Sequence, residues 1–433
     1  MSAPPRILIA DAVDEKARAV FTADGFDVSY LPEITLEDLL ASVGGYAALI
    51  VRSRTKVSAD VLAAGKALRV VGRAGAGVDN IDVEEATRRG IVVMNTPGGN
   101  TVSTAEHTIS MMLALARNIP AADRSVRAME WKRKDFVGTE VSGKTLGLIG
   151  LGKVGREVAR RALALDMRVL AYDPLISDEA ARKLGVEPSG LPELYRCADF
   201  ISLHTPLTPE TRNLLNIETM RLCKRGVRII NCARGGILNE RDLLRALDEG
   251  IVAGAALDVF EQEPPVDTAL VTHPRIVCTP HLGASTEEAQ EKVALQIARQ
   301  VADFLMQRNV AGSVNADLIR VAMRKELEPF LVLSEKMGRL MAQLQPGAVS
   351  GVRVVLRGTL PEDALDVVLA AFLKGLLASL LSESVNYINA TLLARDRGLS
   401  IQAIHEPGQG RYPVEVAAEC ATPAGRRVVT GTV

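Results

Sequence analysis

The stretch Gly147–Gly155, with the sequence GLIGLGKVG, decides the fold of this chain. It begins in an apolar run typical of a buried parallel strand, reaches glycines at Gly150, Gly152 and Gly155, and passes directly into a helical pattern. Glycines at this spacing allow a tight turn, a close approach of the backbone to a diphosphate, and close packing of helix on strand. The amide groups at the start of the helix would face the phosphates. Taken alone, the motif also fits an ordinary glycine turn.

The next strand of the pattern supplies the second half of the signature. It covers Arg168–Tyr172 and stops at Asp173. A carboxylate at this place can accept hydrogen bonds from both ribose hydroxyls and repels a 2′-phosphate. The glycine motif and the acid together predict a dinucleotide-binding unit that takes NAD rather than NADP.

The composition is that of a soluble globular protein without a strong charge bias. A length of 433 residues allows two or three domains. With a net charge of −1, the protein has no overall electrostatic field that would attract nucleic acid or an acidic membrane. Local arginines must therefore hold any anionic substrate. The five cysteines lack metal-ligand spacing, which predicts reduced thiols and no metal site. With no signal peptide and no apolar run near ~20 residues, we expect a cytoplasmic protein that acts on a small molecule.

The first hundred residues alternate between strand and helix patterns, which predicts a parallel sheet wrapped by helices. Glycines recur after the fourth strand, in Gly72–Asn80. This loop is either a nest of backbone amides for a carboxylate or a plain turn. The predicted strands cover 7–10, 28–30, 48–51, 70–72 and 91–94, and the helices cover 14–24, 36–43 and 59–64.

Two further features precede the glycine motif. Ser103 and Glu106 fit a capping box at the start of a long amphipathic helix. The basic run 131–134, which includes Arg133, is either a solvated loop or a source of positive charge for an anionic substrate, supplied to a neighbouring subunit.

Polar residues follow four later strands, where open α/β sheets bind ligands. They lie at 204–206, 231–236, 258–260 and 280–283. Ser285 and Glu288 then fit the cap of a second long helix, which returns the chain to the first unit. We therefore expect a discontinuous substrate-binding domain, 1–98 with 283–311, around a nucleotide-binding domain, 99–282.

A third domain, 312–433, begins where the pattern changes. It combines helices near 327–344, 364–381 and 386–397 with strands at 352–358, 400–405, 414–421 and 426–433. The last strand runs into the terminus, so we expect an incomplete α+β domain. The predicted fold is α/β, with two doubly wound parallel-sheet domains of the Rossmann or flavodoxin kind, a cleft between them, and this C-terminal domain.

Oxidation of an alcohol by NAD needs a base that titrates near neutrality, which favours histidine. Of the five histidines, His281 is best placed, at the end of a strand and before a glycine. Glu263 can fix its tautomer as a hydrogen-bond partner. Arg234, on a glycine-flanked turn, suits bidentate binding of a substrate carboxylate. Each of the three also fits a structural or solvated role.

At these residues the chain resembles the D-isomer-specific 2-hydroxyacid dehydrogenase family. The resemblance covers about the first 310 residues and rests on the combination of the segments 51–53, 72–80, 95–100, 147–155, 204–206, 231–236, 256–265 and 280–286. The segment after 312 resembles the intervening, allosteric substrate-binding domain of long members. In those members a serine-binding ACT domain follows, and the resemblance implies that it is missing here.

The resemblance implies a set of site residues. The catalytic set would be Arg234, Glu263 and His281. Cofactor contacts would come from Gly150, Gly152, Lys153, Val154, Gly155, Asp173, Thr205, Cys232, Ala233, Arg234, Asp258, His281 and Ala284. Substrate contacts would come from Arg52, Arg73, Ala74, Gly75, Ala76, Gly77, Asn100 and Arg133. Relatives often carry threonine at Ala76, so one hydrogen bond to the cofactor is in question.

Within this family the chain resembles the branch that oxidises 3-phosphoglycerate with NAD in serine biosynthesis, as a homodimer or homotetramer. One alternative is a glyoxylate/hydroxypyruvate reductase or another D-2-hydroxyacid dehydrogenase, which would lack the extension after 312. A second is an NAD-sensing corepressor of the C-terminal-binding-protein kind, which would bind partners with little turnover.

Overall fold

A computed structural model describes residues 4–344, 348–381, 384–408, 412–422 and 425–433. It contains two compact units. The first consists of Met1–Gly99 and Gln290–Val433, and the second is Asn100–Ala289. Within the described ranges, no helix is long and apolar enough to cross a lipid bilayer.

The N-terminal part of the first unit is a five-stranded parallel sheet in the order β2-β1-β3-β4-β5. Its central strands are buried on both faces, which explains their continuous apolar runs. The elements are β1 (Arg6–Ile9), α1 (Glu15–Ala23), β2 (Asp27–Tyr30), α2 (Leu36–Ser42), β3 (Ala48–Val51), α3 (Ala59–Ala64), β4 (Val70–Arg73), α4 (Val83–Arg88) and β5 (Val92–Met94).

The second unit is a seven-stranded parallel sheet in the order β12-β11-β10-β9-β6-β7-β8. The strand order reverses between β6 and β9, so a crevice for a ligand is expected at their carboxyl ends. The elements are α5 (Thr101–Ala116), α6 (Ile119–Arg127), β6 (Thr145–Ile149), α7 (Lys153–Ala164), β7 (Arg168–Tyr172), α8 (Asp178–Lys183), β8 (Glu187–Pro188), α9 (Leu191–Cys197), β9 (Phe200–Leu203), α10 (Ile217–Arg221), β10 (Val227–Asn231), α11 (Glu240–Asp248), β11 (Val252–Leu257), α12 (Thr268–Thr272) and β12 (Ile276–Cys278).

The long helix α13 (Glu287–Leu305) begins in the second unit and continues into the first. Its apolar face packs on the five-stranded sheet, where a Cβ at Gly72 would lie 2.9 Å from side-chain carbons of Ile297 and Val301. The expected cap is wrong by one residue. Thr286, not Ser285, accepts a hydrogen bond from the Ala289 amide, at 3.2 Å.

The C-terminal part of the first unit is a mixed four-stranded sheet in the order β14-β13-β15-β16, covered by two long helices. These helices cross at glycines, since a Cβ at Gly338 would lie 2.1 Å from the Phe372 carbonyl oxygen. The elements are α14 (Asp317–Ala322), α15 (Glu328–Leu344), β13 (Gly351–Gly358), α16 (Ala364–Ala378), α17 (Ala390–Asp396), β14 (Ser400–Glu406), β15 (Val414–Thr422) and β16 (Gly425–Gly431).

Side-chain amides join this C-terminal part to the turn between α4 and β5. Asn386 donates to the Gly90 carbonyl at 2.8 Å, and Asn389 donates to the Arg88 carbonyl at 3.0 Å. Asn315 accepts from the Val93 amide at 2.8 Å. The helix expected from 386 begins only at Ala390, because the two asparagine side chains bond local backbone groups instead.

Candidate active site

The glycine motif forms an open cradle at the carboxyl end of β6. A Cβ at Gly150, where φ is +100°, would lie 2.6 Å from the His204 carbonyl oxygen. A Cβ at Gly155 would lie 2.3 Å from the Gly150 carbonyl oxygen, whereas one at Gly152 would meet nothing within 4 Å. Gly150 and Gly155 thus permit the packing, and Gly152 leaves room for a diphosphate at the start of α7.

Two acceptors beside the cradle fit the rest of a dinucleotide. The Asp173 carboxylate accepts from the Leu151 amide at 2.8 Å and from the Leu175 amide at 2.9 Å. A carboxylate has about four acceptor positions, so about two remain for ribose hydroxyls. The buried hydroxyl of Thr205 has no hydrogen-bond partner within the described ranges. A buried hydroxyl in that state is suited to a ligand group.

The other expected cofactor residues lie on the same loops. Lys153 and Val154 are the first two residues of α7. Ala233 lies two residues after the end of β10, and its amide donates to Asn231 Oδ1 at 3.1 Å. Ala284 is half-buried and follows the turn that carries His281. All belong to the second unit.

His204 is a neutral group beneath the cradle. Burial lowers its pKa to about 4, and its Nε2 lies 2.9 Å from the Ser202 hydroxyl. A neutral imidazole held in this way stays uncharged at physiological pH.

His281 and Glu263 are in contact. His281 Nδ1 lies 2.7 Å from Glu263 Oε2, and both side chains are partly exposed. Burial tends to raise the pKa of Glu263, but the hydrogen bond with His281 and the charge of that imidazole hold the pKa below its ordinary value. An ionised Glu263 accepts a hydrogen bond from Nδ1–H of His281, which leaves Nε2 without a proton and able to act as a base.

The backbone at His281 is in the left-handed region, with φ at +55°. This conformation costs a non-glycine residue about 1–2 kcal/mol. Such strain persists only where surrounding contacts fix the turn, and it is common at active sites.

Arg234 lies on a turn packed against the segment that carries Glu263. A Cβ at Gly235 would lie 1.8 Å from the Phe260 carbonyl oxygen, so only glycine permits this approach. Glu263 Oε1 in turn accepts from the Phe260 amide at 3.2 Å. The Arg234 guanidinium contacts the Ala233 carbonyl at 2.6 Å. The arginine turn and the acidic loop are therefore neighbours.

Asp258 is a fully buried carboxylate at the end of β11. Burial favours its neutral form, but hydrogen bonds from His107, Thr279 and the Leu282 amide hold its pKa below the ordinary value. It accepts from the Leu282 amide at 2.7 Å and from the Gly283 amide at 2.9 Å. Asp258 is thus the anchor of the turn that contains His281.

The side-chain atoms of His107, Cys232 and Asp258 that could ligate a metal ion lie within 4.8 Å of one another. Each already has a protein partner. His107 Nε2 lies 3.1 Å from Asp258 Oδ1, and the Cys232 thiol is hydrogen-bonded to the Thr108 hydroxyl. Burial raises the pKa of the Cys232 thiol to about 12, so it is protonated. This is a hydrogen-bonded cluster of neutral and paired groups.

The expected capping box at Ser103 is wrong. Helix α5 begins at Thr101 after Asn100, without a side-chain cap. Ser103 and Thr104 instead donate to the Gly283 carbonyl, at 2.9 and 3.1 Å. The helix therefore carries buried polar side chains that hold the 279–283 turn. The signal was the cluster of serine, threonine and histidine at helical spacing.

The expected substrate residues of the first unit have protein partners of their own. Arg52 Nη1 donates to the Ala12 carbonyl at 3.0 Å. The side-chain Nδ2 of Asn95 donates to the Ala76 carbonyl at 2.5 Å. Arg133, in the second unit, is exposed within a single helical turn.

The loop at Ala74–Gly77 follows β4 and is shaped by Arg73. A Cβ at Gly75 would lie 1.6 Å from Arg73 Nη1, so the arginine side chain folds over the glycine. The Gly75 amide donates to the Arg73 carbonyl at 2.9 Å. The Gly75 amide thus has an acceptor within its own turn, and Ala76 and Gly77 follow it in the same loop.

Two family models match the chain. Residues 109–283 match the NAD binding domain of D-isomer specific 2-hydroxyacid dehydrogenases. Residues 326–433 match the D-3-phosphoglycerate dehydrogenase intervening domain. A D-3-phosphoglycerate dehydrogenase from Rattus norvegicus is 46% identical over 404 residues, which is 93% of this chain and 76% of the relative. The chain belongs to the D-3-phosphoglycerate dehydrogenase family. Another member, from Bacillus subtilis, is 41% identical over 99% of this chain and 81% of its own length.

Two solved structures resemble part of this member of the D-3-phosphoglycerate dehydrogenase family. A glyoxylate reductase from Paecilomyes thermophila has a TM-score of 0.66 at 29% identity, over 72% of this chain and 99% of its own. A D-lactate dehydrogenase from Aquifex aeolicus, complexed with NAD and lactic acid, has a TM-score of 0.62 at 25% identity, over 71% of this chain and 98% of its own. These two enzymes leave more than a quarter of this chain unmatched.

Proposed function

We propose that this chain oxidises 3-phosphoglycerate to 3-phosphohydroxypyruvate with NAD, the first step of phosphorylated serine biosynthesis. The observation that carries the proposal is the His281–Glu263 hydrogen bond of 2.7 Å, on the unit that also holds the glycine cradle. The likeness to D-3-phosphoglycerate dehydrogenases over most of the chain gives the substrate.

His281 is the base of the proposed reaction. Its Nδ1–H is held by the Glu263 carboxylate, so Nε2 accepts the proton of the C2 hydroxyl. The C2–H bond breaks and a C2=O double bond forms in the same step. NAD, held by the glycine cradle at Gly150–Gly155, would supply the acceptor of the hydride. Glu263 stabilises the imidazolium that results, because an ionised carboxylate favours the charged partner.

Arginines are the proposed ligands of the anionic substrate. The fork of Arg234 suits its carboxylate and would polarise the developing carbonyl. For the carboxylate we also propose the Ala76 and Gly77 amides. For the phosphate we propose Arg52, Arg73 and Arg133. The substrate brings its charge to a protein whose net charge is only −1, so these local cations must supply the attraction.

The test is NADH formation at alkaline pH from 3-phosphoglycerate, compared with D-glycerate, D-lactate and 2-hydroxyglutarate. We expect kcat/KM for 3-phosphoglycerate to exceed that for D-glycerate about 30- to 100-fold, the value of charge-assisted bonds to the phosphate. D-glycerate is the matched control because it differs only by that phosphate. Equal values, or faster reduction of glyoxylate or hydroxypyruvate, would favour the reductase alternative.

We also propose a cytoplasmic homodimer or homotetramer. All five cysteines are free thiols, which suits a reducing compartment. The segment 119–137 exposes large apolar side chains, among them Met129 at 94% and Trp131 at 78%. Exposed apolar groups of this size are typical of interfaces. The mass in solution, measured by light scattering, tests the assembly.

A further inference from the structure

The buried polar cluster that contacts the 279–283 turn includes a residue with no role in the proposed chemistry. Asp258 accepts hydrogen bonds from both sides of His281. On the N-terminal side the donor is the Thr279 hydroxyl, at 2.6 Å. On the C-terminal side the donors are the amides of Leu282 and Gly283, at 2.7 and 2.9 Å. One carboxylate thus holds a side chain before, and two backbone amides after, a residue in the left-handed conformation.

His107 is the side chain that holds this carboxylate in turn. Its Nε2 lies 3.1 Å from Asp258 Oδ1 and 3.1 Å from Thr279 Oγ1. It reaches them from helix α5, on which Ser103 and Thr104 also donate to the Gly283 carbonyl. Three side chains at helical spacing therefore contact one short turn.

The partners assign the tautomer of His107. Asp258 is ionised and can only accept, since its hydrogen bonds hold its pKa below the ordinary value. The Thr279 hydroxyl donates its one O–H hydrogen bond to Asp258, so it can only accept a hydrogen bond from His107. Both neighbours of Nε2 are acceptors, and Nε2 must carry a proton. A donor at this atom is what the network requires.

We infer that His107 is a positioning residue for the acid–base pair. It donates from Nε2 to the Asp258–Thr279 pair, and Asp258 holds the 279–283 turn so that the imidazole of His281 meets Glu263. His107 is remote from the reacting atoms in this scheme, and it acts only through Asp258. The inference rests on the proposed function, because it needs His281 as the base.

The first test replaces His107 by leucine and by glutamine in the full chain. Leucine removes the donor, so the 279–283 turn loses a restraint and His281 is misplaced. We expect His107→Leu to lower kcat about 10- to 30-fold, the order of effect of a small misplacement of a catalytic group. The Kd for NAD, measured by calorimetry, and the KM for 3-phosphoglycerate should change less than about 2-fold. Glutamine offers an amide donor of similar reach, so His107→Gln should restore kcat to within about 3-fold of the wild type.

Met112→Leu is the control for packing, because Met112 is buried on the same helix within an apolar cluster. It should leave kcat unchanged. If His107→Leu does not fold, Thr279→Val and Thr279→Ser repeat the comparison at the other end of the same contact. Valine removes the hydroxyl and should lower kcat, and serine should restore it.

Three results would overturn the inference. One is a normal kcat in His107→Leu, and another is a loss expressed in KM or in the Kd for NAD. The third is an equal loss in the leucine and glutamine variants, which would indicate shape rather than hydrogen bonding. The proposed function fails separately, if His281→Ala is fully active. A normal His107→Leu beside an inactive His281→Ala removes only this inference.

Discussion

The two ends of the strands in the seven-stranded sheet differ in how completely their polar residues are paired within the protein. At the amino ends, polar groups bind one another. Asp199 contacts Lys224 Nζ at 2.6 Å and accepts from the Thr145 amide at 2.9 Å, and Arg228 donates to Thr139 at 2.9 Å. At the carboxyl ends, the buried Thr205 hydroxyl has no partner in the described parts of the chain.

This difference separates stability from function along the same strands. Polar groups that satisfy each other stabilise the sheet but have little capacity for a ligand. The carboxyl ends contribute less to stability and have more capacity for a ligand. They contain open space at a glycine, a strained histidine and a carboxylate with spare acceptor positions. Substitutions at the carboxyl ends should therefore alter kcat or cofactor affinity, and those at the amino ends should alter only the free energy of unfolding.

The sharpest contrast is between the histidines that flank β12. His281 follows the strand and contacts Glu263, whereas His273 precedes it and accepts from the Arg275 amide at 3.2 Å. We expect His281→Ala to lower kcat at least about 10²-fold, the contribution of general base catalysis, with the Kd for NAD unchanged. His273→Ala should keep wild-type kcat. Steady-state kinetics and calorimetry measure both, and comparable losses in the two variants would break the comparison.

Two glycines with positive φ give the next contrast. Gly150, at the carboxyl end of β6, has φ +100° and no room for a Cβ, while Gly226, before β10, has φ +84° and open space around it. Gly150→Ala should raise the Kd for NAD by about 10-fold or more and lower the free energy of unfolding by about 2–3 kcal/mol, from strain and a backbone clash.

Gly226→Ala is the matched control, since it has the strained φ without the clash. It should lower the free energy of unfolding by about 1 kcal/mol and leave NAD binding unchanged. Denaturant unfolding and calorimetry distinguish the two effects. Weakened NAD binding in Gly226→Ala would mean that the amino ends also shape the cofactor site.

The smallest expected effect concerns Asp199. Burial tends to raise the pKa of Asp199, but Lys224 and the Thr145 amide outweigh it and hold the pKa below 3.8. A depressed pKa in the folded state means that the stabilisation is fully present above about pH 3.8 and is lost as the pH falls through the folded pKa. Asp199→Asn should lower the free energy of unfolding by about 1 kcal/mol at pH 7, with unchanged kcat.

That difference should shrink below pH 3.8, where the wild-type carboxyl protonates and resembles the amide. Urea midpoints of both proteins at pH 7 and in acid measure it. A difference that persists at the lowest pH would point to shape, rather than charge, as its origin.

The strands were predictable because the strands of a parallel sheet that is buried on both faces have continuous apolar sequences. The strands at 48–51 and 168–172 coincide with β3 and β7. The glycine spacing and the acid at the end of the next strand were enough to predict the cofactor. The roles of these residues depend on their local positions in the sequence and not on contacts with distant segments. The likeness of residues 109–283 to an NAD binding domain confirms that prediction.

Long-range polar contacts were not predictable, because they depend on packing. Ser103 fits a helix cap by spacing, yet its hydroxyl bonds Gly283, which lies 180 residues further along the chain. The spacing of Ser103, Thr104 and His107 on one helix is visible in the sequence, but the partners of His107 are not, because Asp258 and Thr279 follow two different strands. The delayed start of α17 likewise follows from Asn386 and Asn389, whose side chains accept from local backbone amides and donate to the Gly90 and Arg88 carbonyls.

Those asparagines have a consequence for how the C-terminal part is held. Asn315, Asn386 and Asn389 join it to the α4–β5 turn through neutral amides bonded to backbone groups. A neutral amide does not titrate and is hardly screened by counterions. This attachment is therefore indifferent to acidity and ionic strength over ranges in which exposed ion pairs such as Arg88–Asp396 come apart.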